Sequence, residues 1–529
     1  MTVRGSDRLW AAFSSPPFRT LWFGSVALNL TIWMQSVAAA WLMVSLTTSP
    51  LMVALIQSAS ALPSFLLGLV SGVMADLVDR RRYLLAVVGF MLVSAAGLWL
   101  LIMMNVYGPW MLLFFTFSLG VGFALQAPAW ATSQMDSVAR ALMPSAIALG
   151  ALSYSSARAL GPAVAGVVIS ASDVVTVFAL CVGLLSLSFI ALLLWRNPLQ
   201  PSPLPPESLL SGLRSAHRYV RHSEIVKVQI VRTVAFTCMG SAVWALLPLF
   251  AEQHLNSGAG GYGLLLASMG AGAVAGALLV PRLKASFEIN GMMAIATAVY
   301  GGVTLGIALV SSLPAVCAML FVGGGAWLVV GNTNMLALQS SVPAWIRGRT
   351  LAVYLVVFQG SMAGASAAWG WVAGRIGTAE AFLVSGFLMI AVLGLMKWIP
   401  ARIADEAEAT ESNAGLFAEI GPQCIPVGAV VVVQIDYLVE PGNRDEFLRR
   451  LDTIGRVRRR DGANFWGVFR SVEDDRRIVE RFFVDSWDHY LRQRSRMTIA
   501  DREAELAMWE LHVGNAQPVI SHYVAERGL

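Results

Sequence analysis

Charge is scarce in this chain, and acidic charge is almost absent from its apolar stretches. Only 13% of the 529 residues are Asp, Glu, Lys or Arg, whereas 57% are hydrophobic and the mean hydropathy is +0.66. A soluble globular protein cannot bury so much apolar surface. The composition therefore excludes a soluble enzyme or carrier and indicates a polytopic membrane protein.

Cysteine is also scarce, and its placement excludes two kinds of site. The four cysteines are scattered along the chain without metal-ligand spacing, so neither a disulfide framework nor a zinc site is indicated, and we expect no cofactor. Residues 1–20 lack a small-residue cleavage site after the first apolar run, so we expect no removable signal peptide.

Apolar spans fill most of the chain up to Pro400, separated by short loops. A membrane-crossing helix needs about 20 apolar residues. The pattern predicts an all-α membrane protein with twelve transmembrane helices in two six-helix halves. The predicted spans are 18–43, 51–75, 84–104, 110–131, 144–170, 174–195, 227–250, 262–282, 290–310, 313–337, 349–373 and 379–399.

Lysine and arginine are concentrated in alternate loops, on the side that also contains both chain ends. The net charge of +5 therefore reports membrane orientation and not binding of nucleic acid. Because positively charged loops stay in the cytoplasm, we expect both termini to be cytoplasmic.

The two halves repeat each other at an offset of about 204 residues. Gly72 corresponds to Gly276, and Gly161 falls within one residue of the equivalent of Gly364. Transporters built from two rocking halves show such a duplication, with the substrate site near the membrane midplane.

Changes in composition divide the chain into five segments. The linker between the halves is proline-rich and ends in a basic amphipathic stretch, Leu209 to His222, while the later linker is acidic and small. The predicted segments are the first half at 1–195, a cytoplasmic linker at 196–226, the second half at 227–400, a linker at 401–426 and a cytoplasmic domain at 427–529.

A charged hinge between the second and third spans is the first candidate for mechanism. It contains the gating motif, which we define as Gly72, Asp76, Arg80 and Arg81. A plain positive-inside loop explains the arginines but not the glycine and aspartate. Gly72 would let a neighbouring helix approach, and Asp76 would pair with a cation or cap a helix. The hinge resembles the loop signature of the major facilitator superfamily, from which it departs at Leu77 and Asp79.

The fifth span contains a second candidate, the helix-5 motif of Arg158, Gly161, Pro162 and Gly166. Small residues allow close helix packing, and the proline bends the helix. The motif resembles the Gly-Pro signature of antiporters in the same superfamily, and a role in packing alone is the alternative to one in coupling. A charge at mid-span costs roughly 2.5–3.5 kcal/mol, so we expect Arg158 to face a water-filled cavity or a polar partner. We expect Arg232 to snorkel to the interface.

Amide and indole side chains inside the spans predict a substrate cavity. They suit a bulky, partly aromatic solute better than a sugar or an inorganic ion, although tryptophan also collects at membrane interfaces. Acidic residues are almost absent from the interiors of the spans, so the sequence does not identify the coupling ion. The predicted cavity residues are Asn29, Trp33, Gln57, Gln126, Asn332 and Gln359.

Residues 18–400 as a whole resemble the branch of the superfamily that contains the enterobactin exporter. Details that carry this resemblance include Trp33-Met34-Gln35 and Arg347-Gly348-Arg349. The resemblance implies a secondary transporter in the bacterial inner membrane, embedded in the lipid bilayer. It implies export of a small hydrophobic or siderophore-like molecule by alternating access, with protons as the coupling ion.

Beyond Pro400 the pattern of apolar residues predicts a βαββαβ order, which is the ferredoxin-like arrangement. This tail resembles small dimeric monooxygenase-like barrels. Its histidines, His489, His512 and His522, show no metal spacing. We expect a regulatory role or self-association. A membrane-tethered, cofactor-free monooxygenase-like enzyme is the alternative.

Overall fold

The computed structural model describes residues 10–195, 217–401, 405–410, 412, 429–514 and 517–526. The rest of the two predicted linkers lies outside these residues, including most of the amphipathic stretch before His222. The chain divides into two compact units. Unit 1 comprises Met1–Pro206, Val231–Asn334 and Tyr354–Pro400, and unit 2 comprises Glu207–Ile230, Met335–Val353 and Ala401–Leu529.

Twelve long helices of the described residues coincide with the predicted apolar spans. They are α1 (Pro16–Leu46), α2 (Pro50–Leu77), α3 (Arg80–Met103), α4 (Pro109–Asp136), α5 (Met143–Ala171), α6 (Val174–Leu194), α7 (Glu224–Gln253), α8 (Gly258–Ser286), α9 (Ile289–Leu309), α10 (Leu313–Ser340), α11 (Ala344–Ile376) and α12 (Thr378–Trp398).

Eleven of these helices are long and apolar enough to cross a membrane. The exception among the described residues is α5, so the prediction of twelve spans is matched for eleven. The reason lies in the sequence of α5, where Arg158 follows the polar run Ser153-Tyr154-Ser155-Ser156 and lowers the mean hydropathy.

Local sequence fixes where several helices begin. Proline occupies the first turn of α1, α2 and α4. Amide N–H groups in a first turn have no intrahelical partner, so the N–H that proline lacks costs no hydrogen bond. Aspartate caps two others: Asp79 accepts a hydrogen bond from the Arg82 amide at the start of α3, and Asp173 accepts one from the Thr176 amide at the start of α6, both at 2.8 Å.

The internal repeat is visible in the packing of unit 1. A side chain at Gly120 on α4 would press against Ser60 O of α2, and a side chain at Gly324 on α10 would collide with Met269 O of α8. Gly324 lies 204 residues after Gly120. Within each half, the corresponding pair of helices, α2 with α4 and α8 with α10, therefore packs through the corresponding glycine.

Two of the helix pairs that join the halves within the described part of unit 1 are in close contact. Between α2 and α11, Ser58 Oγ donates a hydrogen bond to Ala363 O at 2.7 Å. Between α5 and α8, a Cβ atom at Gly166 would lie 2.8 Å from Gly263 Cα. The second pair is thus in backbone contact, which only glycine allows at these positions.

Unit 2 contains a four-stranded antiparallel sheet of order β2-β3-β1-β4. The second helix of the predicted βαββαβ order is in fact two helices. The first ends at Ser495, and Thr498 begins the second in a reciprocal capping box with Asp501. The strands are β1 (Val431–Leu438), β2 (Phe465–Arg470), β3 (Arg477–Val484) and β4 (Val519–Val524), and the helices are α13 (Arg444–Asp461), α14 (Trp487–Ser495) and α15 (Ile499–Trp509).

A buried ion network lies among these strands and helices. Arg458 Nη2 donates to Glu505 Oε1 at 2.6 Å, and its Nε donates to Glu480 Oε1 at 3.3 Å. Tyr437 and Trp466 also donate to Glu480, each at 2.9 Å. Burial raises the pKa of Glu505, but Arg458 and the neighbouring guanidinium groups outweigh that effect and lower the pKa to about 2.

Unit 2 also includes the short helical segment at 217–222 and the first turns of α11. The Arg496 guanidinium lies 4.0 Å from the centre of the Trp345 ring, and Trp345 packs edge-on against Tyr219 at 5.9 Å. Arg456 pairs with Glu224 at 3.2 Å. Contacts with both of these segments therefore hold the tail inside unit 2.

Candidate functional site

The gating motif is organised by its arginines. Arg80 forms an ion pair with Asp136 at the end of α4, and Arg81 Nη2 donates to Leu193 O at 2.6 Å near the end of α6. The carbonyls of a last helical turn have no intrahelical partner, so Arg81 satisfies one of them. The two arginines therefore fix the ends of α4 and α6 relative to α3.

The close helix approach expected at Gly72 is not found among the described residues, and the role of Asp76 stays a prediction. Among the described atoms, none lies within 4 Å of where a Cβ would stand at Gly72, so no neighbouring helix makes a close approach there. Its repeat equivalent Gly276 does pack closely, because a Cβ atom added there would lie 2.8 Å from Gly325 Cα. The side chain of Asp76 lies outside the part of the chain that the structure describes.

Both glycines of the helix-5 motif lie where a side chain would collide. A Cβ atom at Gly161 would lie 2.7 Å from Trp33 Cβ of α1, and Gly166 meets the backbone of α8 as described above. Pro162 lies within α5, which continues through it to Ala171. The motif therefore positions α5 against both α1 and α8.

Arg158 lies between two tryptophans from opposite halves of the chain. Its guanidinium carbon is 5.7 Å from the centre of the Trp33 ring on α1 and 5.6 Å from that of Trp244 on α7. The two rings lie 6.3 Å apart. We call Arg158, Trp33 and Trp244 the arginine cage. Cation–π attraction of this kind stabilises an arginine by about 0.5–2 kcal/mol.

The arginine cage borders two adjoining cavities in unit 1. The larger cavity, of about 270 Å³, is lined by residues from both halves of the chain, and the smaller, of about 100 Å³, is lined by Arg158 and residues of the second half. Trp33, Gln57 and Gln359 line the larger cavity, and Asn332 lines the smaller. These four predicted residues and Arg158 are therefore brought together.

The other two predicted cavity residues line neither cavity. Asn29 donates to Ser153 Oγ at 3.1 Å and so joins α1 to α5. Gln126 is buried in α4. Asn29 and Gln126 were predicted to line a cavity because each is an amide inside an apolar span. Periodicity along a helix does not show which neighbour such an amide faces.

Several lining residues were missed because their types are common in membrane helices. Tyr154 packs against Trp33 with ring centres 6.2 Å apart, and Phe358 lies 6.4 Å from Trp327. Trp327 approaches α7 closely because Gly240 leaves room for its ring. Tyr154 lies one turn before Arg158, and that spacing places both on the same helix face.

The described lining of both cavities contains no aspartate or glutamate. Arg158 has no carboxylate within ion-pair distance among the described residues, and its Nε has no hydrogen-bond acceptor. The indole Nε1 atoms of Trp33 and Trp244 also lack acceptors there. The arginine cage is thus rich in hydrogen-bond donors and poor in acceptors.

Arg232 differs from the prediction, which placed it at the interface. It is 1% exposed, and its Nη1 donates to Asn290 Oδ1 at 3.0 Å and to Ile399 O at 3.1 Å. Arg232 therefore joins α7 to α9 and to the end of α12. Snorkelling was the wrong expectation because these two acceptors lie far from Arg232 in the sequence.

The tail histidines do not form one cluster. His522 contacts the rings of Trp487 and Tyr490, with centres 5.3 and 4.9 Å away, whereas His512 Nδ1 accepts from the Leu438 amide at 2.9 Å. His489 lies 3.6 Å from Asp485. Among the described residues, no group of three His, Cys, Asp or Glu side chains could hold a metal ion.

The sequence profile of one protein family, described as "Transmembrane secretion effector", matches residues 8–528. A curated relative, the uncharacterized MFS-type transporter YfiS of Bacillus subtilis (strain 168), is 25% identical over 385 residues, which cover 70% of this chain and 90% of that protein.

Solved structures of transporters share the fold of the membrane part. A point mutant of the nucleoside transporter NupG matches with a TM-score of 0.59 at 11% identity, covering 73% of this chain and 100% of that one. A POT family transporter in complex with 5-aminolevulinic acid matches with a TM-score of 0.62 at 12% identity, covering 73% and 96%. At such low identity the likeness concerns the fold alone.

Proposed function

Since the chain belongs to the transmembrane secretion effector family, and so is a membrane transporter of the major facilitator type, we propose that it exports a small hydrophobic or siderophore-like molecule from the bacterial cytoplasm across the inner membrane by alternating access. The observation that carries the proposal is the larger cavity, because residues of both halves line it. A site shared by two rocking halves is what alternating access requires.

The proposal includes the topology that the sequence predicts. All twelve helices span the bilayer, α5 among them, because neighbouring helices and a cavity shield Arg158 from lipid. Both termini and the tail lie in the cytoplasm, as the positions of the arginines indicate. The tail adopts a ferredoxin-like fold and acts in regulation or self-association.

Proton antiport is the proposed source of energy. None of the described cavity residues is acidic, so the proton would bind outside these cavities or to the solute itself. A protonophore should therefore slow export, and export that continues unchanged in uncoupled cells would contradict antiport.

An efflux assay in cells tests the transport function. Cells are loaded with anionic, neutral and cationic fluorescent dyes and with a catecholate siderophore, and the loss of each compound is followed. Cells with the wild-type protein should lose at least one compound faster than cells without it, and Arg158→Ala at equal membrane abundance should abolish that difference.

Arg375→Ala is the matched control. Arg375 also lies over a tryptophan, 5.0 Å from the Trp371 ring, but it lines neither cavity. The Arg375→Ala variant should therefore export like the wild type. If no compound leaves faster with the wild-type protein, the proposed transport function fails for this panel; equal loss in wild type and Arg158→Ala would remove the cavity from the mechanism.

A further inference from the structure

We infer that the larger cavity selects aromatic anions and that Arg158 is the residue that determines this specificity. The inference rests on the proposed transport function and names the chemical class of its solute. Three observations carry it: an arginine without an anionic partner, a local excess of hydrogen-bond donors, and aromatic walls.

Arg158 differs from Arg232, another arginine of unit 1, in the groups that surround its guanidinium. Arg232 is buried and has two oxygen acceptors at 3.0 and 3.1 Å. Neither arginine has a carboxylate within ion-pair distance among the described residues, but Arg158 faces the rings of Trp33 and Trp244 where Arg232 has those two oxygens. A guanidinium in a low-dielectric site attracts an anion strongly, so a bound anion would supply the missing partner.

The hydrogen-bond balance of the arginine cage favours the same type of ligand. The Nε1 atoms of Trp33 and Trp244 and the Nε of Arg158 are donors without acceptors in the described protein. An indole N–H and a guanidinium can only donate. A ligand that brings acceptor oxygens, such as a carboxylate or a phenolate, therefore complements the cage, and an ammonium group does not.

The walls and the size of the cavity define the rest of the ligand. Trp33, Tyr154, Trp244, Trp327 and Phe358 all line the larger cavity. Aromatic rings of the protein stack favourably on a planar ligand, and about 270 Å³ is close to the lower end of the range for small-molecule sites, roughly 300–1,000 Å³. The geometry therefore fits a small planar aromatic acid.

The charge of the cavity also excludes a class of solutes. A cationic aromatic compound would bring a second positive charge beside Arg158, and no described acidic side chain lines the cavities to compensate for it. Like charges in a site shielded from water repel each other strongly. Hydrophobic amines should therefore be poor substrates even where their shape fits.

A set of three ligands of similar shape tests the inference on the purified full-length protein in nanodiscs. The probes are 2-naphthoate, 2-naphthamide and 2-naphthylmethylammonium, and their binding is measured by calorimetry. The wild type should bind naphthoate about tenfold to a hundredfold more tightly than naphthamide, as expected for hydrogen bonds to a charged group. The ammonium should bind more weakly than naphthamide.

Variants separate charge from structure. Arg158→Gln should abolish the preference for naphthoate over naphthamide, Arg158→Lys should retain part of it, and Arg375→Gln should retain all of it. A change in the order of the three ligands cannot result from a merely structural role of Arg158. If Arg158→Gln does not fold, the order of the three ligands on the wild type still decides the inference.

Failure of the inference is distinguishable from failure of the transport function. Equal binding of all three probes by the wild type, or no binding of naphthoate, would overturn the inference, and the efflux assay could still show transport of other dyes. A strong preference for naphthoate with no export in the efflux assay would support the inference and contradict the transport function.

Discussion

Single residues in the helix-5 motif determine how closely neighbouring side chains can pack. Gly161 has no side chain, and for that reason Trp33 reaches the Arg158 guanidinium. A tryptophan that is displaced by even a small distance would lose part of its cation–π contact. The role of the glycine at this position is therefore to position an aromatic ring beside a charge.

The substitution Gly161→Ala tests this relationship. The added methyl group would lie 2.7 Å from Trp33 Cβ, so we expect the ring to move and binding of 2-naphthoate to weaken several-fold. Gly150→Ala on the same helix is the control, because its nearest described neighbour, Gln134 Oε1, would lie at 3.7 Å. Equal binding by both variants would contradict the positioning role.

Arg158 and Arg232 also show where residue-level prediction fails. Both were recognisable as charges inside apolar spans, and for Arg158 the expectation of a cavity agrees with its surroundings. The acceptors of Arg232, Asn290 and Ile399, lie 58 and 167 residues away. Contacts between residues so far apart in the chain do not affect the local pattern of apolar residues, so the sequence could not identify these partners.

Among the helices, α5 is the element on which most of the proposed mechanism depends. It contains Arg158, it packs on α1 through Gly161, and it touches the backbone of α8 through Gly166. Two halves that rock against each other must slide or separate along such contacts. A side chain that forces α5 and α8 apart should therefore change the cycle of transport more than it changes folding.

The substitution Gly263→Ala should have this effect. Its methyl group would lie 2.7 Å from Gly166 Cα and 2.8 Å from Pro162 O, both backbone atoms that cannot rotate away. We expect export to fall at least several-fold. Gly364→Ala is the control, since no described atom lies within 4 Å of its Cβ position. Alanine there should be neutral or stabilise α11 by up to about 1 kcal/mol. Equal export rates for the two variants would show that the contact is unimportant.

The helices of the membrane spans were predictable to within a few residues, and contacts between them were not. The spans predicted at 84–104 and 290–310 correspond to Arg80–Met103 and Ile289–Leu309, because long apolar runs mark membrane helices clearly. The break between α14 and α15 was missed because Thr498 was not recognised as an N-cap. Its capping box with Asp501 is seen only in the structure. The ion pair between Arg80 and Asp136 was missed because its partners lie 56 residues apart in the sequence.

In the tail, strand β4 carries a histidine that makes the fold sensitive to acid. Burial, with a smaller effect of Arg494, lowers the pKa of His522 below its ordinary value of 6.5. The unfolded state therefore binds more protons than the folded state, and stability falls as the pH drops below about 6.5 and through the lowered pKa. This loss should occur before carboxylates such as Glu505 protonate.

Hydrogen exchange of the full-length protein checks this prediction. After correction for the intrinsic pH dependence of exchange, protection of β4 should decrease between about pH 7.5 and pH 5.5, the range around the ordinary histidine pKa. His522→Asn should weaken that decrease, whereas His489→Asn should not, because the side chain of His489, in the same domain, is 41% exposed. Identical pH profiles in all three proteins would rule out His522 as the cause.

At the scale of the whole molecule, the residues that line both cavities belong to unit 1, and the tail belongs to unit 2. Deletion of residues 413–529 should therefore leave part of the export activity, because it removes no cavity residue. The efflux assay measures this directly. Complete loss of export at equal membrane abundance would show that the tail is essential, and loss of regulation alone would support the proposed role.

The absence of acidic side chains from the described cavity lining bears on how the cell could drive this protein. A solute that crosses as an anion leaves a cytoplasm that is electrically negative, so its outward movement is downhill by about 2.3 kcal/mol per charge for each 100 mV. The membrane voltage alone would then support roughly a fiftyfold gradient across the bilayer. With proton antiport the inward proton adds its own charge, so collapsing the voltage with potassium and valinomycin, at constant pH, should slow export of an anion more strongly than export of a neutral compound.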